Sequence, residues 1–345
     1  MKIENLLRNN IRALKPYKAA RHDLNAKGIL LDANESPFEN GYNRYPDPYQ
    51  KQLKKTVANL KSVKSEQVFI GNGSDETLDL LIRAFCEPNT DNVIIMPPTY
   101  GMYEVLANIN AVECIKAPLN KDFSLDAERV LVAVNSRTKI IFICSPNNPT
   151  GNSLSDSEIN KVLENFNGIV VVDEAYIDFS NAKSTIQLLN KFPNLFVNQT
   201  LSKAYAGAGL RLGIGFSSVE IIHVLNTIKP PYNINSLTQS TGIDLLKNES
   251  EIQANINLIN AEKKRLYAEL FKLPFVVEIF PSEANFWLVR FKNAEDIHKS
   301  LINNGIITRN RSHELYCENT LRITVGTTEE NTQLINCLNQ IKITE

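Results

Sequence analysis

Short apolar runs rich in β-branched residues alternate with longer segments of helical apolar spacing over the central two thirds of the chain. The short runs predict buried strands, and segments such as 77–85 and 155–166 predict the helices between them. Ser155 stands three residues before Glu158, which predicts a capping box at the start of the second helix. The predicted strands are 68–70, 93–96, 111–115, 139–144, 168–173, 195–200 and 212–216. This alternation predicts an α/β fold with a mostly parallel central sheet covered on both faces.

The pattern changes after about position 230. A Pro-Pro pair at 230–231 precedes a long charged helical stretch near 249–271, and short apolar runs then alternate with two helical stretches, 294–304 and 329–340. This order predicts a second, smaller α+β domain. We therefore expect three parts: an N-terminal segment over 1–35 that packs with the small domain, a large domain over 36–245, and the small domain over 246–345.

Composition narrows the function classes. The chain has 345 residues, 43% of them hydrophobic, and a formal net charge of −1. We expect no nucleic-acid partner, because there is no broad basic field to attract phosphate backbones. No run approaches the roughly 20 apolar residues that cross a bilayer, and the N-terminus has no signal-peptide core, so we expect no membrane partner and a cytoplasmic location. Five cysteines without CxxC spacing and four histidines without ligand spacing predict buried thiols and no metal site.

Ligands of such sheets bind at the carboxyl ends of the strands, which directs attention to the residues that follow each apolar run. The segment 71–76 leads from a strand into a helix, and its backbone amides with the Ser74 hydroxyl would suit a phosphate. The alternative is an ordinary turn in which Asp75 caps the helix. The sequence SPNNPTG at 145–151 follows another strand, and a plain turn is an equal alternative there.

Two charged residues follow later strands. Asp173 comes after four apolar residues, so its carboxylate is expected to be desolvated and to need a cation or a strong donor. A structural ion pair is the alternative. Lys203 lies between hydroxyl residues and small residues that would let another group approach, which favours a nucleophilic amine over an ordinary solvated lysine.

These motifs in this order resemble the fold-type I pyridoxal-phosphate aminotransferases and, within their class II subgroup, the histidinol-phosphate aminotransferases. The resemblance covers nearly the whole chain, through LKPY, LDANES, NRYPDP, PPTYGMYE, SPNNPTG, VVDEAY, LSKAYAGAGLRLG and LRITVG. It implies pyridoxal 5'-phosphate in the large domain, a homodimer, and transfer of the amino group of L-glutamate to imidazole-acetol phosphate, giving L-histidinol phosphate and 2-oxoglutarate in histidine biosynthesis. Alternatives are an aminotransferase for aromatic amino acids, a phosphothreonine-type decarboxylase, or a non-enzymatic ligand sensor.

The resemblance also implies roles for the residues around the cofactor ring. Lys203 would bind the cofactor covalently and then carry the proton of the reaction. Asp173 would keep the ring nitrogen protonated, which lets the ring accept electrons. Tyr176 and Asn148 would hydrogen-bond the phenolic oxygen, and Tyr100 would stack on the ring. An intact lysine and aspartate argue against the sensor.

The cofactor phosphate would be held by amides, hydroxyls and a guanidinium. These groups belong to Ser74, Asp75, Thr200, Ser202 and Arg211. Arginine suits this role because its planar fork meets two oxygens at once. By the same resemblance, Tyr45 would reach the phosphate of the neighbouring subunit, which is why a homodimer is expected.

The substrate side is implied by arginines near the C-terminus. The predicted substrate contacts are Tyr17, Asn34, Asn148, Arg309 and Arg322. Arg322 would meet the carboxylate of glutamate and the phosphate of the other substrate in turn. Arg311 is an alternative to Arg309, which we prefer because it directly follows a predicted strand.

Overall fold

The computed structural model describes residues 2–15 and 28–341, and its large unit is built on a seven-stranded sheet. The strands are β1 Val68–Asn72, β2 Asn92–Ile95, β3 Glu113–Lys116, β4 Thr138–Cys144, β5 Ile169–Asp173, β6 Leu195–Thr200 and β7 Leu212–Ser217. Their order across the sheet is β1-β7-β6-β5-β4-β2-β3. Neighbours from β3 to β6 run parallel, and β7 is antiparallel to both β6 and β1. The predicted fold class, an α/β fold with a mostly parallel sheet, is confirmed.

Helices cover both faces of this sheet. They are α1 Asn9–Arg12, α2 Lys51–Lys61, α3 Ser74–Phe85, α4 Met102–Ile109, α5 Ala127–Val132, α6 Asp156–Asn165, α7 Val219–Ile228 and α8 Ser236–Lys247. Ile141 and Ile143 of β4 enter the core cluster on one face, whereas Ile140 and Phe142 enter the cluster on the other. Successive side chains of a strand point to opposite faces, so a run that is apolar throughout buries both.

The C-terminal unit has its own sheet and apolar core. Its elements are α9 Glu249–Leu270, β8 Val276–Ile279, β9 Phe286–Phe291, α10 Ala294–Asn303, β10 Arg309–Asn310, β11 Thr320–Thr324 and α11 Thr328–Gln340. The four strands form an antiparallel sheet in the order β10-β11-β9-β8. The limits at 35 and 245, which divide the N-terminal segment, the large domain and the small domain, stay a prediction. Across 2–15 and 28–341, no helix combines the length and apolarity needed to cross a bilayer.

The described part of the N-terminal segment, 2–15, contacts the large unit. Ile3 lies in the core cluster that includes α3, and the Arg8 backbone N–H donates to the Ala84 carbonyl at 3.1 Å. The Arg8 side chain also pairs with Glu87 at 3.7 Å. For these residues the predicted packing with the small domain is wrong. Their apolar side chains instead pack against the core cluster that includes α3, where they are removed from water.

The predicted capping box at α6 does not form. Ser155 precedes the helix, but its hydroxyl pairs with the Ser157 hydroxyl at 2.7 Å. Glu158 instead accepts a hydrogen bond from the Ala127 amide at 2.8 Å. Ala127 begins α5, so Glu158 satisfies one of the free amides at the start of a neighbouring helix.

Candidate active site

A cavity of about 410 Å³ opens at the carboxyl ends of β4, β5 and β6 and is closed on one side by β10 and β11. It gathers most of the side chains expected at the site. The predicted residues that line it are Ser74, Asp75, Tyr100, Asn148, Asp173, Tyr176, Thr200, Ser202, Lys203, Arg211, Arg309 and Arg322. The carboxyl edge of the sheet therefore brings together groups that are far apart in sequence, as expected for this fold.

One end of the cavity is the start of α3. Gly73 precedes the helix with φ +79°, and no side chain in the described part of the molecule caps the first amides. A Cβ on Gly213 of β7 would lie 2.3 Å from the Ser74 nitrogen, so only glycine permits this approach of strand and helix. The uncapped amides and the helix dipole make this end suitable for an anion.

A guanidinium and two hydroxyls surround the same end. A Cβ on Gly73 would lie 2.6 Å from Nη2 of Arg211, so the guanidinium lies directly against the turn before α3. The hydroxyls of Thr200 and Ser202 lie 3.0 Å apart, and the Ser202 amide donates to the Thr200 hydroxyl at 3.1 Å. Together these donors have the chemistry of a phosphate site.

Asp173 ends β5 and is 3% exposed. Its Oδ2 accepts a hydrogen bond from the Tyr103 hydroxyl at 2.7 Å, whereas Oδ1 has no hydrogen-bond partner among the described residues. Burial raises the pKa of Asp173 to about 6, and the bond from Tyr103 opposes that rise. A buried carboxylate oxygen without a partner costs free energy unless a ligand supplies a donor. The structural ion pair considered for Asp173 is not present among the described residues, where Oδ2 bonds Tyr103 and Oδ1 has no partner.

Lys203 follows β6 on the wall of the cavity, and its Nζ lies 5.7 Å from the centre of the Tyr176 ring. Partial burial, Arg322 and Arg211 lower the pKa of Lys203. A lysine in such surroundings is neutral more often than a solvated one, and only the neutral amine is nucleophilic. Burial raises the pKa of Tyr176 to about 12, so its hydroxyl remains a donor.

Arginines line the opposite end. Nη1 of Arg322 donates to Oδ1 of Asn148 at 2.6 Å, which fixes the arginine and leaves the Asn148 amide N–H groups for another acceptor. Arg309 pairs with Arg322 in the β10–β11 register, so both side chains leave the same face. Arg311 also lines the cavity. Burial lowers the pKa of Arg322 and of Arg311, with a smaller lowering from neighbouring arginines, and Arg311 also pairs with Glu314 at 3.4 Å.

Three predicted residues lie elsewhere. Tyr45 is 50% exposed and stacks on Tyr232 with ring centres 4.4 Å apart, outside the cavity of its own chain. Asn34 is exposed, has φ +54°, and is absent from the described lining of the cavity. Tyr17 lies outside the described residues.

Sequence reasoning missed two side chains next to Asp173. Cys144 ends β4 and lines the cavity, and the Tyr103 hydroxyl reaches Asp173 from α4. Tyr103 lies in the first turn of α4, three residues after Tyr100, and its backbone amide donates to the Tyr100 carbonyl at 3.3 Å. That spacing is the signal that could have found Tyr103.

Comparison with known proteins agrees with this geometry. The family model described as "Aminotransferase class I and II" matches residues 21–338. The chain belongs to this family of aminotransferases. This aminotransferase chain is 51% identical over 339 residues to a curated histidinol-phosphate aminotransferase of Flavobacterium psychrophilum, covering 97% of the chain and 98% of the relative.

Solved structures share the aminotransferase fold. The histidinol-phosphate aminotransferase of Clostridium acetobutylicum superposes with a TM-score of 0.78 at 26% identity, covering 86% of this chain and 89% of that one. The Sinorhizobium meliloti enzyme, solved in complex with pyridoxal-5'-phosphate, gives a TM-score of 0.79 at 21% identity, covering 86% and 82%. The second likeness concerns the fold alone.

Proposed function

We propose that this aminotransferase transfers the amino group of L-glutamate to imidazole-acetol phosphate, giving L-histidinol phosphate and 2-oxoglutarate with pyridoxal 5'-phosphate as cofactor. The observation that carries the proposal is one cavity with an anion site, a half-satisfied buried acid, a lysine of lowered pKa and an arginine cluster. The 51% identity over nearly the full chain supports the substrate.

The residues present fit the cofactor. Oδ1 of Asp173 is buried and has no hydrogen-bond donor within 2–15 and 28–341, as a partner for a protonated ring nitrogen would be. The start of α3 with Arg211, Thr200 and Ser202 fits the phosphate. When bound, pyridoxal phosphate supplies an aldehyde that takes up the amino group and a ring that accepts the electrons left when a proton leaves the substrate carbon.

The chain's own groups then have distinct tasks. Asp173 would keep a proton at the ring nitrogen through its negative charge. Lys203 would hold the cofactor at its aldehyde carbon, and its lowered pKa would leave a free Nζ neutral and able to accept a proton. Tyr176 and the amide of Asn148 would donate to the phenolic oxygen. Tyr100, whose hydroxyl donates to Asp75 at 3.1 Å, would lie against the ring.

The arginine end binds the anionic parts of both substrates. Arg322 is fixed by Asn148 and by the Phe286 ring, whose centre lies 5.3 Å from the guanidinium carbon. Arg309 and Arg311 lie on the same side of the cavity, so we assign both to the substrate phosphate and carboxylate in place of Arg309 alone. Arginine suits phosphate and carboxylate equally.

We also propose that the working unit is a homodimer in the cytoplasm. Large apolar side chains between 29 and 45 are exposed, among them Ile29, Leu31, Phe38 and Tyr42 at 90, 87, 80 and 65%. Leu237 lies beside Tyr42 and Tyr45 in the same surface cleft and is 56% exposed. A second copy of the chain would cover this patch and bring its Tyr45 towards the neighbouring phosphate. Five unpaired cysteines suit a reducing compartment.

Half-reactions followed by absorbance test the function. The cofactor-loaded protein is expected to lose its visible colour on addition of L-glutamate or L-histidinol phosphate and to regain it with 2-oxoglutarate. L-phenylalanine and O-phospho-L-threonine, the latter with capture of carbon dioxide, test the two alternatives. No colour change with L-histidinol phosphate, or release of carbon dioxide instead, would overturn the proposal.

A further inference from the structure

Tyr103 connects α4 to the buried acid of the active site. Its side chain is fully buried, and its hydroxyl donates to Oδ2 of Asp173 at 2.7 Å. Burial and the neighbouring Asp173 raise the pKa of Tyr103, so the phenol stays protonated and acts as a donor. Tyr103 does not line the cavity in the described structure, so this hydrogen bond reaches Asp173 from behind the site.

Two aromatic contacts fix the Tyr103 ring. It stacks on Phe142 of β4 with ring centres 5.0 Å apart and planes 7° apart. Tyr100, the side chain proposed to lie against the cofactor, meets it edge to face at 5.5 Å and 86°. A ring held on both sides cannot swing away without loss of packing, so the direction of the hydroxyl is set by the core.

Asp173 is poised between its two protonation states. Burial raises its pKa, the bond from Tyr103 lowers it, Asp75 raises it, and the Ala175 amide and the Asn198 side chain lower it, with a net value of about 6. The other titratable groups around it are Tyr100, Tyr176, Cys144 and Lys203. A proton shared by two groups rests on the more basic one. A hydrogen-bond donor to Asp173 makes the carboxylate less basic and therefore favours the proton on a ring nitrogen.

We propose that Tyr103 is a positioning residue whose hydroxyl keeps Asp173 ionised, with Oδ1 free for the cavity, so that the shared proton stays on the nitrogen of the bound cofactor ring. This inference rests on the proposed function. It assigns to Tyr103 a part of the electron-accepting chemistry that the ring supplies, although Tyr103 does not line the cavity.

Tyr103→Phe tests the inference because it removes one oxygen and keeps the ring stacked on Phe142. The variant and the parent are loaded with pyridoxal phosphate labelled with ¹⁵N in the ring, and the ¹⁵N chemical shift is read. We expect a protonated nitrogen in the parent and a shift towards the neutral form in the variant. Loss of a hydrogen bond to a charged group predicts a fall in kcat of roughly 10- to 100-fold, with little change in KM.

A second readout needs no cofactor. Infrared difference spectra of the cofactor-free chain across pH 5–8 report the protonated carboxyl of Asp173, assigned by its absence in Asp173→Asn. Tyr103→Phe is expected to keep this signal to higher pH than the parent. If the variant fails to fold, 2,3-difluorotyrosine at position 103, a stronger donor, is expected to move the signal to lower pH.

Controls separate this role from a structural one. Tyr267→Phe removes a hydroxyl from a tyrosine of α9 that packs on Trp287, and is expected to leave the ¹⁵N shift unchanged. In an Asp173→Ala background, Tyr103→Phe is expected to add little further loss of kcat. An unchanged ring shift in Tyr103→Phe, or the same loss in both backgrounds, would overturn the inference. Failure of the parent to react with L-histidinol phosphate would instead overturn the proposed function.

Discussion

Two carboxylates that are neighbours in sequence, Asp173 and Glu174, occupy opposite kinds of site. Both are nearly fully buried, at 3% and 2% exposure. Glu174 accepts from the Ser184 hydroxyl at 2.5 Å, from the amide and hydroxyl of Thr185 at 2.6 and 2.8 Å, and from the Gln199 side chain at 2.8 Å. Asp173 accepts from Tyr103, and its other oxygen has no partner among the described residues.

The contrast separates a carboxylate that stabilises the fold from one that is kept for a ligand. Four hydrogen bonds satisfy both oxygens of Glu174. They connect the segment after β5 to Gln199 of β6, and no ligand is needed to balance the buried carboxylate. Asp173 has a similar desolvation cost and fewer bonds, which destabilises the chain until a cationic group binds. Burial alone does not distinguish the two, whereas the count of satisfied oxygens does.

The largest expected difference between the two acids is in kcat, when each is replaced by its amide. Asp173→Asn removes the charge that holds the ring proton and should lower kcat by roughly 100- to 1,000-fold, as for loss of a preorganised charge partner. Glu174→Gln should keep kcat per folded molecule within about threefold. Half-reaction rates of the loaded proteins measure both, and equal losses would contradict the distinction.

The pH dependence of stability is the next largest effect. The pKa of Asp173 in the folded chain, about 6, lies above its ordinary value of 3.8, so the folded state holds the proton more tightly. That contribution to stability is complete below about pH 4 and is lost as the pH rises through 6. In the cofactor-free chain, Asp173→Asn should therefore be more stable than the parent at pH 8, by up to about 3 kcal/mol.

This gain should shrink as the pH falls towards 4, where the parent's Asp173 is itself neutral. Urea unfolding of both proteins between pH 4 and pH 8 measures the difference. Glu174 stays in both proteins, so its own raised pKa cancels from the comparison. A gain of the same size at every pH would exclude Asp173 as its source.

Glu174→Gln should change stability in the opposite direction. Its new NH₂ group would face the donor groups of Ser184 and Gln199, and we expect a loss of about 2 kcal/mol in the free energy of unfolding. Glu164→Gln is the matched control, because Glu164 forms an exposed ion pair with Lys191 that should contribute little. A Glu174→Gln protein as stable as the control would show that the four bonds are dispensable.

The smallest effect concerns a single donor of the Glu174 cluster. Thr185→Val removes the hydroxyl but leaves the amide that also binds Oε1, so the free energy of unfolding should fall by about 1 kcal/mol. Thr227→Val, in which the lost hydroxyl bonds an exposed carbonyl of α7, should cost less. The two variants are compared by urea midpoints, and a larger loss at Thr227 would contradict the ranking.

Much of this site could be predicted because the end of each apolar run in the sequence marks the end of a strand. Apolar runs locate β4, β5 and β6, and the polar residues directly after them, such as Asn148, Asp173 and Lys203, meet at one sheet edge. Strand order could not be predicted, since β7 returns antiparallel between β1 and β6 through pairings that no local pattern encodes.

The missed features depend on partners that are distant in sequence. Glu158 caps α5 instead of its own helix, and Ile3 finds its apolar neighbours on α3. Tyr103 reads as an ordinary core residue, and only the packing of α4 against the sheet brings its hydroxyl to Asp173. Local spacing predicts which residues share a face, but not which of them meet across the core.

The central claim, that Lys203 is the amine that holds the cofactor, is tested most directly by reducing the loaded protein with borohydride and mapping the pyridoxyl group by mass spectrometry. Lys54 and Lys229 are the natural competitors, because burial lowers the pKa of each to about 8. Lys229 is held by the carbonyl oxygens of Pro48, Pro230 and Pro231 and lies outside the cavity, as does Lys54. We predict one modified peptide, carrying the label at Lys203, and a label at Lys54 or Lys229 instead would contradict this account.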